Sequence, residues 1–301
     1  MEFNGLIENL IFLYKEKFNL HNANFIRIKH EDAMVAIVFK VVLPNHTTFI
    51  LKVHPREEDY FREIYFLKFL SNLLPIPQII QAEPSSLIVP SAILMEYLPG
   101  EVLKRNDITN KLAYKIGELL ACIHLNKVEK YGDIANDNLS NDPRIPFTIK
   151  FEEGFSECCN HLPEIILKKT RYYFNSHIDL LTQVDGPCIM HRDFRPGNVM
   201  AVNNEVTGII DWGSARGGFA EEDFCSFELN EWSTSPDIKK CFIDGYSNIR
   251  PIPNYKLIMP LLLINRALAI IGFTIKTKTW NGVNSSLYQV NRQYLESFFI
   301  L

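Results

Sequence analysis

The sequence lacks a cysteine framework. Its six cysteines, Cys122, Cys158, Cys159, Cys188, Cys225 and Cys241, show no zinc-ligand spacing, and the adjacent pair Cys158–Cys159 is poorly placed for a disulfide scaffold. It lacks a dense Lys/Arg cluster too: 31 basic residues stand against 35 acidic ones, a formal charge of −4, so no nucleic-acid footprint is expected. The start, "MEFNGLIENLIFLYKEKF", carries acids where a secretory leader needs a basic end and an unbroken apolar core. The most apolar stretch, "LIMPLLLINRALAIIGF" at 257–273, is short for a membrane span and is broken by Pro260, Asn265 and Arg266, which predicts a buried helix. Internal repeats and low-complexity tracts are missing. These absences predict a reduced, cytoplasmic, soluble protein with neither nucleic acid nor membrane as partner.

What is there is ordinary globular material. Apolar residues make up 47% and charged residues 22% of 301, enough for two lobes with a sizeable core. Leu6, Leu10, Tyr14 and Phe18 form one helical stripe. Then "FIRIK", "MVAIVFKVV" and "TFILKV" read as strands, with "LPNHT" as a turn between the last two. A helix is expected from about Arg56 to Leu70, ended by "PIP" at 75–77. Two more strands, "QIIQA" and "SAILMEYL", lead to a hinge at "PGE". Beyond it the pattern turns helical, starting with Leu112, Ile116, Leu119, Leu120 and Ile123, while residues 133–150, rich in Asn, Asp and Pro, read as a long surface loop. Strands first and helices after predict an α+β fold: a lobe of residues 1–97 around a small antiparallel sheet, and a mostly helical lobe of 98–301.

The chemistry concentrates in "CIMHRDFRPGNVMAV" at 188–202 and "VTGIIDWG" at 206–213. Asn198 follows Asp193 by five positions, and Asp211 follows Asn198 by thirteen. "VMAV" and "TGII" read as two short strands joined by a turn, a hairpin that brings Asn198 and Asp211 side by side. Both offer oxygen ligands of the kind Mg²⁺ prefers. Asp193 stands nearby with a carboxylate able to orient a hydroxyl and accept its proton. A base beside a two-ligand metal site suits phosphoryl transfer, which depends mostly on positioning and charge neutralisation.

"HRDFRPGN" with "IDWG" resembles the catalytic and metal loops of the protein-kinase-like fold. Only twelve positions separate Asp211 from Asp223, and no "APE" follows, so the chain resembles the aminoglycoside phosphotransferase and choline kinase-like group. "LPIPQII", "ELLACIHL" and "KYGDI" point the same way, and the likeness runs over roughly residues 22–230. The resemblance implies a two-lobed enzyme moving the γ-phosphate of ATP or GTP to a hydroxyl of a small substrate, with an aminoglycoside or similar hydroxylated amine as the first guess. Asp193 would serve catalysis, with Arg195 reaching the transferred phosphate; Asn198 and Asp211 would hold Mg²⁺. Lys52 would meet the nucleotide phosphates with Glu63 as its ion-pair partner, Glu57 or Glu58 being alternatives. The hinge backbone from Glu96 to Leu98 would meet the base.

His191 is expected to support the loop from the core, and Asp223 to fix the loop backbone. Glu221, Glu222, Glu228 and Glu231 are either an acidic wall for a cationic substrate or a solvated helix face. One departure stands out: the first hairpin, "KHEDAMVAIVF", has no glycine where the resemblance implies a glycine-rich cover over the phosphates, and it adds Glu31 and Asp32. A non-catalytic, pseudokinase-like nucleotide binder is therefore the alternative.

Overall fold

A computed structural model of the chain describes residues 2–28 and 36–300. Glu31 and Asp32, and with them the centre of the glycine-free stretch, lie outside the described residues.

The first helix, α1 (Glu2–Lys17), is followed by β1 (Asn24–Ile28), β2 (Ile37–Val42) and β3 (Thr48–His54), then α2 (Glu57–Leu70), β4 (Ile79–Glu83) and β5 (Ser91–Glu96). The five strands form one antiparallel sheet in the order β1-β2-β3-β5-β4. Alternation sorts its two faces, because successive strand residues point to opposite sides. Phe39, Val41, Leu51, Val53, Ala92 and Leu94 pack with Leu10, Tyr14 and Phe18 of α1. Tyr14 also donates its hydroxyl to Pro90 O (2.8 Å), which ties the helix to the sheet margin. The intervening residues face the other way. Ile93 and Met95 there join a second core with Tyr60, Phe66, Leu67 and Leu70 of α2, whose spacing is helical. Lys52 pairs across the sheet with Ile93, so the same alternation that buries Leu51 and Val53 under α1 turns Lys52 toward α2.

After the hinge, β6 (Glu101–Val102) leads into α3 (Asn110–Leu125), β7 (Tyr131–Asp133), β8 (Asn138–Ser140), α4 (Arg144–Cys158) and α5 (Glu164–His177). Thr109 caps α3 by accepting Leu112 N–H (3.3 Å). The stretch expected as a loop over 133–150 is broken earlier than its composition suggests: α4 begins at Arg144. Asp142 accepts Arg144 N–H (2.9 Å), and Pro143 and Pro146 sit where a first turn needs no N–H donors.

The chain continues through β9 (Cys188–Met190), β10 (Val199–Val202), β11 (Glu205–Ile209) and β12 (Arg216–Gly218) to α6 (Cys225–Glu228), α7 (Pro236–Ile249), α8 (Tyr255–Lys276) and α9 (Ser285–Ile300). Two small sheets, β11-β10-β6 and β8-β7-β12-β9, frame the loops between these strands. The apolar stretch expected as a buried helix is α8; it is long and apolar enough to cross a membrane by composition, and most of it is buried in the protein. α3 and α7 meet backbone to backbone. A Cβ on Gly117 would lie 2.0 Å from Phe242 O, and one on Gly245 would lie 1.9 Å from Tyr114 O.

Candidate active site

The site is assembled around β9, β10 and β11. β10 and β11 pair as a hairpin whose turn, Asn203–Asn204, takes positive φ at both residues (51° and 61°), the geometry that matches the twist of the flanking strands. At its open end Val199 pairs with Ile209, and Ile210 N–H reaches Asn198 O (2.9 Å). Asn198 therefore stands beside the residue preceding Asp211. Asp211 itself adopts a left-handed backbone (φ 67°), which turns the chain out of the strand.

The loop between β9 and β10 is fixed by buried polar groups. Asp223 accepts two consecutive backbone N–H groups, from His191 (2.7 Å) and Arg192 (2.6 Å). Arg192 has φ 65°, a left-handed conformation costly for a residue that carries a Cβ, and the two Asp223 carboxylate oxygens hold it there. His124 Nε2 lies 3.2 Å from Asp223, and its Nδ1 lies 2.9 Å from Tyr246 OH; one neutral tautomer satisfies both, donating to the carboxylate and accepting from the phenol. Burial pulls the His124 imidazole below its usual range, so that tautomer persists at neutral pH. Burial pushes the Asp223 carboxyl up, but the His124 hydrogen bond and the charges around it outweigh this and hold it below the usual carboxylate range. His191 is fully buried against Trp212 (ring centroids 4.6 Å); its Nε2 meets Ile210 O (3.1 Å) and its Nδ1 accepts Asp193 N–H (3.3 Å). It thus joins the two loops from within the core.

Two donors hold Asp193. Asn198 Nδ2 reaches its Oδ2 (2.7 Å) and its backbone O (2.8 Å), and Arg195 Nε reaches both carboxylate oxygens (3.1 and 3.2 Å). Because Asn198 turns its amide nitrogen to Asp193, its Oδ1 is directed elsewhere and can serve as a ligand.

Lys52 lies between two carboxylates, 2.6–2.9 Å from Glu63 and 2.7 Å from Asp211. Burial works against its charge, but Asp211 and Glu63 outweigh burial and raise the ammonium above its ordinary value. Burial likewise acts on Glu63, yet Lys52 first and His54 next bring it down to about 2. Of the alternatives weighed for the pair, Glu57 accepts from Ser85 Oγ (2.8 Å) and Glu58 is exposed; Glu63 is the residue at Lys52. Asp211 keeps a side chain 46% exposed, with one oxygen on Lys52. At the end of β5, Glu96 N–H is taken by Gln78 O (2.9 Å), so its N–H is not free for another partner. Leu98 packs at Gly208 of β11, where an added Cβ would meet its Cδ1 at 2.2 Å, and Leu98 N–H has no backbone partner among the described residues.

Several residues of this assembly carry no motif. His54 Nε2 lies 2.6 Å from Glu63; its only signal is the i,i+2 spacing that puts it on the face of Lys52. Arg62 donates to Gly213 O (2.7 Å), to Asp133 (2.6 Å) and to Asp59, and so clamps α2 onto the loop after Asp211. The four glutamates read as a possible acidic wall are engaged. Glu221 is buried and accepts Asp185 N–H (3.0 Å), Glu222 meets Arg192 (3.0 Å), Glu231 meets Arg266 (2.6 Å), and Glu228 bonds Tyr255.

The model of the phosphotransferase enzyme family matches residues 36–246. No curated protein matches the chain by sequence. Among solved structures, the GDP and kanamycin complex of an APH(2") enzyme is 14% identical, with 91% of this chain and 92% of that one aligned at a TM-score of 0.68. A thermostable mutant of aminoglycoside phosphotransferase APH(4)-Ia, in ternary complex with AMP-PNP and hygromycin B, is 13% identical, with 94% and 96% aligned at 0.69. A candidate fructosamine-3-kinase from Thermobifida fusca is 17% identical, with 88% and 93% aligned at 0.65. At such identities these likenesses establish the fold: two-lobed and protein-kinase-like, with an antiparallel sheet in the first lobe and helices in the second.

Proposed function

The chain belongs to the phosphotransferase enzyme family, and on that premise we propose that it moves the γ-phosphate of ATP or GTP to a hydroxyl of a small molecule. The observation that carries this reading is the direct hydrogen bond between Asn198 and Asp193, set beside a Lys52 that spans Glu63 and Asp211. The nucleotide would lie between a lobe of residues 1–97 and one of 98–301, with Leu98 N–H and the Glu96 carbonyl toward its base.

The donor set fits Mg²⁺. Asn198 Oδ1 and the Asp211 oxygen not held by Lys52 are hard ligands, and among the described residues no cluster of three or more His, Cys, Asp or Glu side chains forms a self-sufficient metal cage. Mg²⁺ is commonly held this way, by one or two side chains with water and phosphate completing the shell. When bound, it supplies neutralisation of charge on the phosphate oxygens. Lys52, kept cationic by its two carboxylates, meets the phosphates of the donor. Asp193 orients the acceptor hydroxyl and takes its proton as the new O–P bond forms and the bond to the leaving diphosphate breaks. Arg195, already on Asp193, steadies the transferred group.

An aminoglycoside or another hydroxylated amine is the acceptor class suggested by relatives solved with kanamycin and hygromycin B. Six free cysteines suit the reducing cytoplasm. The test is an ADP/GDP-release screen over aminoglycosides, sugars, amino alcohols and hydroxy acids. Asp193→Asn should lower turnover by roughly 10²–10⁴-fold, the usual contribution of a positioned base, while Mg²⁺–nucleotide still raises the melting temperature. Unchanged turnover in that variant would refute the mechanism; nucleotide binding without turnover in the wild type would favour a pseudokinase-like binder.

A further inference from the structure

A pocket opens at the foot of the catalytic loop, lined by Arg192 of that loop, Arg216 of β12, Lys150 of α4, Glu222 and Asn265 of α8. The rest of its wall is largely apolar, Phe147 and Phe219 among it. Three cations therefore face one carboxylate. That carboxylate, Glu222, is held by Arg192 Nε (3.0 Å), and Lys150 has Glu153 at 2.6 Å. Arg216 has no such answer. Its Nε is buried, and its guanidinium makes no hydrogen bond or ion pair among the described residues. Burial, with the like charges of Arg192 and Arg62 added, outweighs the charges of Asp133 and Glu222 and pulls Arg216 down to about 9.

A second unpartnered group lines the same pocket. Asn265 is only 7% exposed, and its Oδ1 meets no hydrogen-bond donor among the described residues. Buried polar atoms are almost always satisfied, and a guanidinium fork matches carboxylate and phosphate better than other partners. The pocket thus asks for a ligand with an oxyanion for the Arg216 guanidinium.

Its place ties that ligand to the reaction. Arg216 pairs across β12 and β9 with Met190, on the strand that feeds the catalytic loop. Arg192 is the residue before Asp193, about 3.8 Å away along the backbone.

We propose that this pocket is an acceptor subsite that takes a carboxylate or phosphate group of a hydroxyl-bearing small molecule, held by Arg216 and Lys150 with Arg192 behind them. The assignment rests on the phosphoryl-transfer reading above and departs from the acceptor class that the relatives suggest: the preferred acceptor is a hydroxy acid or a sugar phosphate, not a polycationic aminoglycoside.

The test pairs binding with turnover. Calorimetric titrations of the wild type, Arg216→Gln and Lys150→Gln with inorganic phosphate and with glycerate, at constant ionic strength, read the subsite without any nucleotide. Losing a charge-assisted hydrogen bond should weaken binding roughly 10- to 100-fold in Arg216→Gln, with Arg216→Lys recovering part of it and Lys150→Gln weakening it less. In turnover, hydroxy acids and sugar phosphates should surpass kanamycin, and Arg216→Gln should raise KM for them far more than it lowers kcat. Equal binding by wild type, Arg216→Gln and Lys150→Gln would overturn the subsite. Arg216-dependent phosphate binding together with transfer only to kanamycin would overturn its assignment to the acceptor and leave a free-anion site. Arg216-dependent binding with no transfer to any acceptor would keep the anion pocket but refute phosphoryl transfer and, with it, the acceptor assignment.

Discussion

At the level of single residues, the site divides into groups that a motif announces and groups that only folding brings in. Asn198 and the residue before Asp211 meet at the open end of one hairpin, and Asp193, five positions before Asn198, reaches it by a hydrogen bond, so local spacing brings them together. Lys52 and Glu63 are only eleven positions apart, a short interval that leaves Glu57 and Glu58 open as alternatives; the hydrogen bonds of Glu63 to Lys52 and His54 decide it. The pair makes a prediction about acid. Glu63 falls from 4.5 to about 2 in the folded protein, so its charge stabilises the fold fully above pH 4.5, and that contribution disappears as pH drops toward 2. Glu63→Gln should therefore flatten the acid limb of stability between pH 4.5 and 2, read by urea unfolding across that range. A limb as steep as the wild type's would show that other carboxylates set it. Asp223 offers a second test through its two backbone N–H partners. Asp223→Ala leaves both donors buried, which costs roughly 1–3 kcal/mol per group, and should depress kcat by freeing the Arg192 backbone from its left-handed turn.

Among the elements, the sheet was the easier part to read. Alternation in "TFILKV" and "SAILMEYL" carries enough information to place Leu51 and Val53 on one face and Lys52 on the other. The start of α4 was obscure because Pro143 and Pro146 look like breakers unless they are known to fall in a first turn. The α3–α7 contact was not legible at all, since a lone glycine in a helix pattern does not reveal which helix comes near. Here Gly117 and Gly245 each leave room for a carbonyl of the opposite helix. Gly245→Ala would place a methyl 1.9 Å from Tyr114 O, so the two helices must separate. Helix propensity favours alanine by about 1 kcal/mol, but overpacking costs typically 1–3 kcal/mol and more against backbone. A net fall in melting temperature is the expected result, and a rise would mean that α7 shifts freely.

For the whole molecule, net charge says little about where charge acts. The chain carries −4 overall, yet Lys150, Arg192 and Arg216, from three distant segments, meet around one pocket. Composition gives no sign of this local basic site, because the convergence depends on β12 lying beside β9. The same holds for Arg62, a helix arginine with nothing distinctive about its spacing, which links the first lobe to Gly213 O and Asp133 of the second. Lys52 makes a parallel link through Asp211. If the lobes are coupled through these two bridges, they share an element and their effects should not add. Arg62→Met and Lys52→Met, singly and together, measure this. Each single variant should lose stabilisation by Mg²⁺–nucleotide, a term worth about 2.7 kcal/mol at a ligand concentration a hundred times Kd. The double variant should lose less than the sum, since a loop freed by one substitution no longer presents Asp211 for the other bridge to hold. Strict additivity would show that α2 and β3 contact the second lobe independently, and that Arg62 serves the fold without positioning the metal loop.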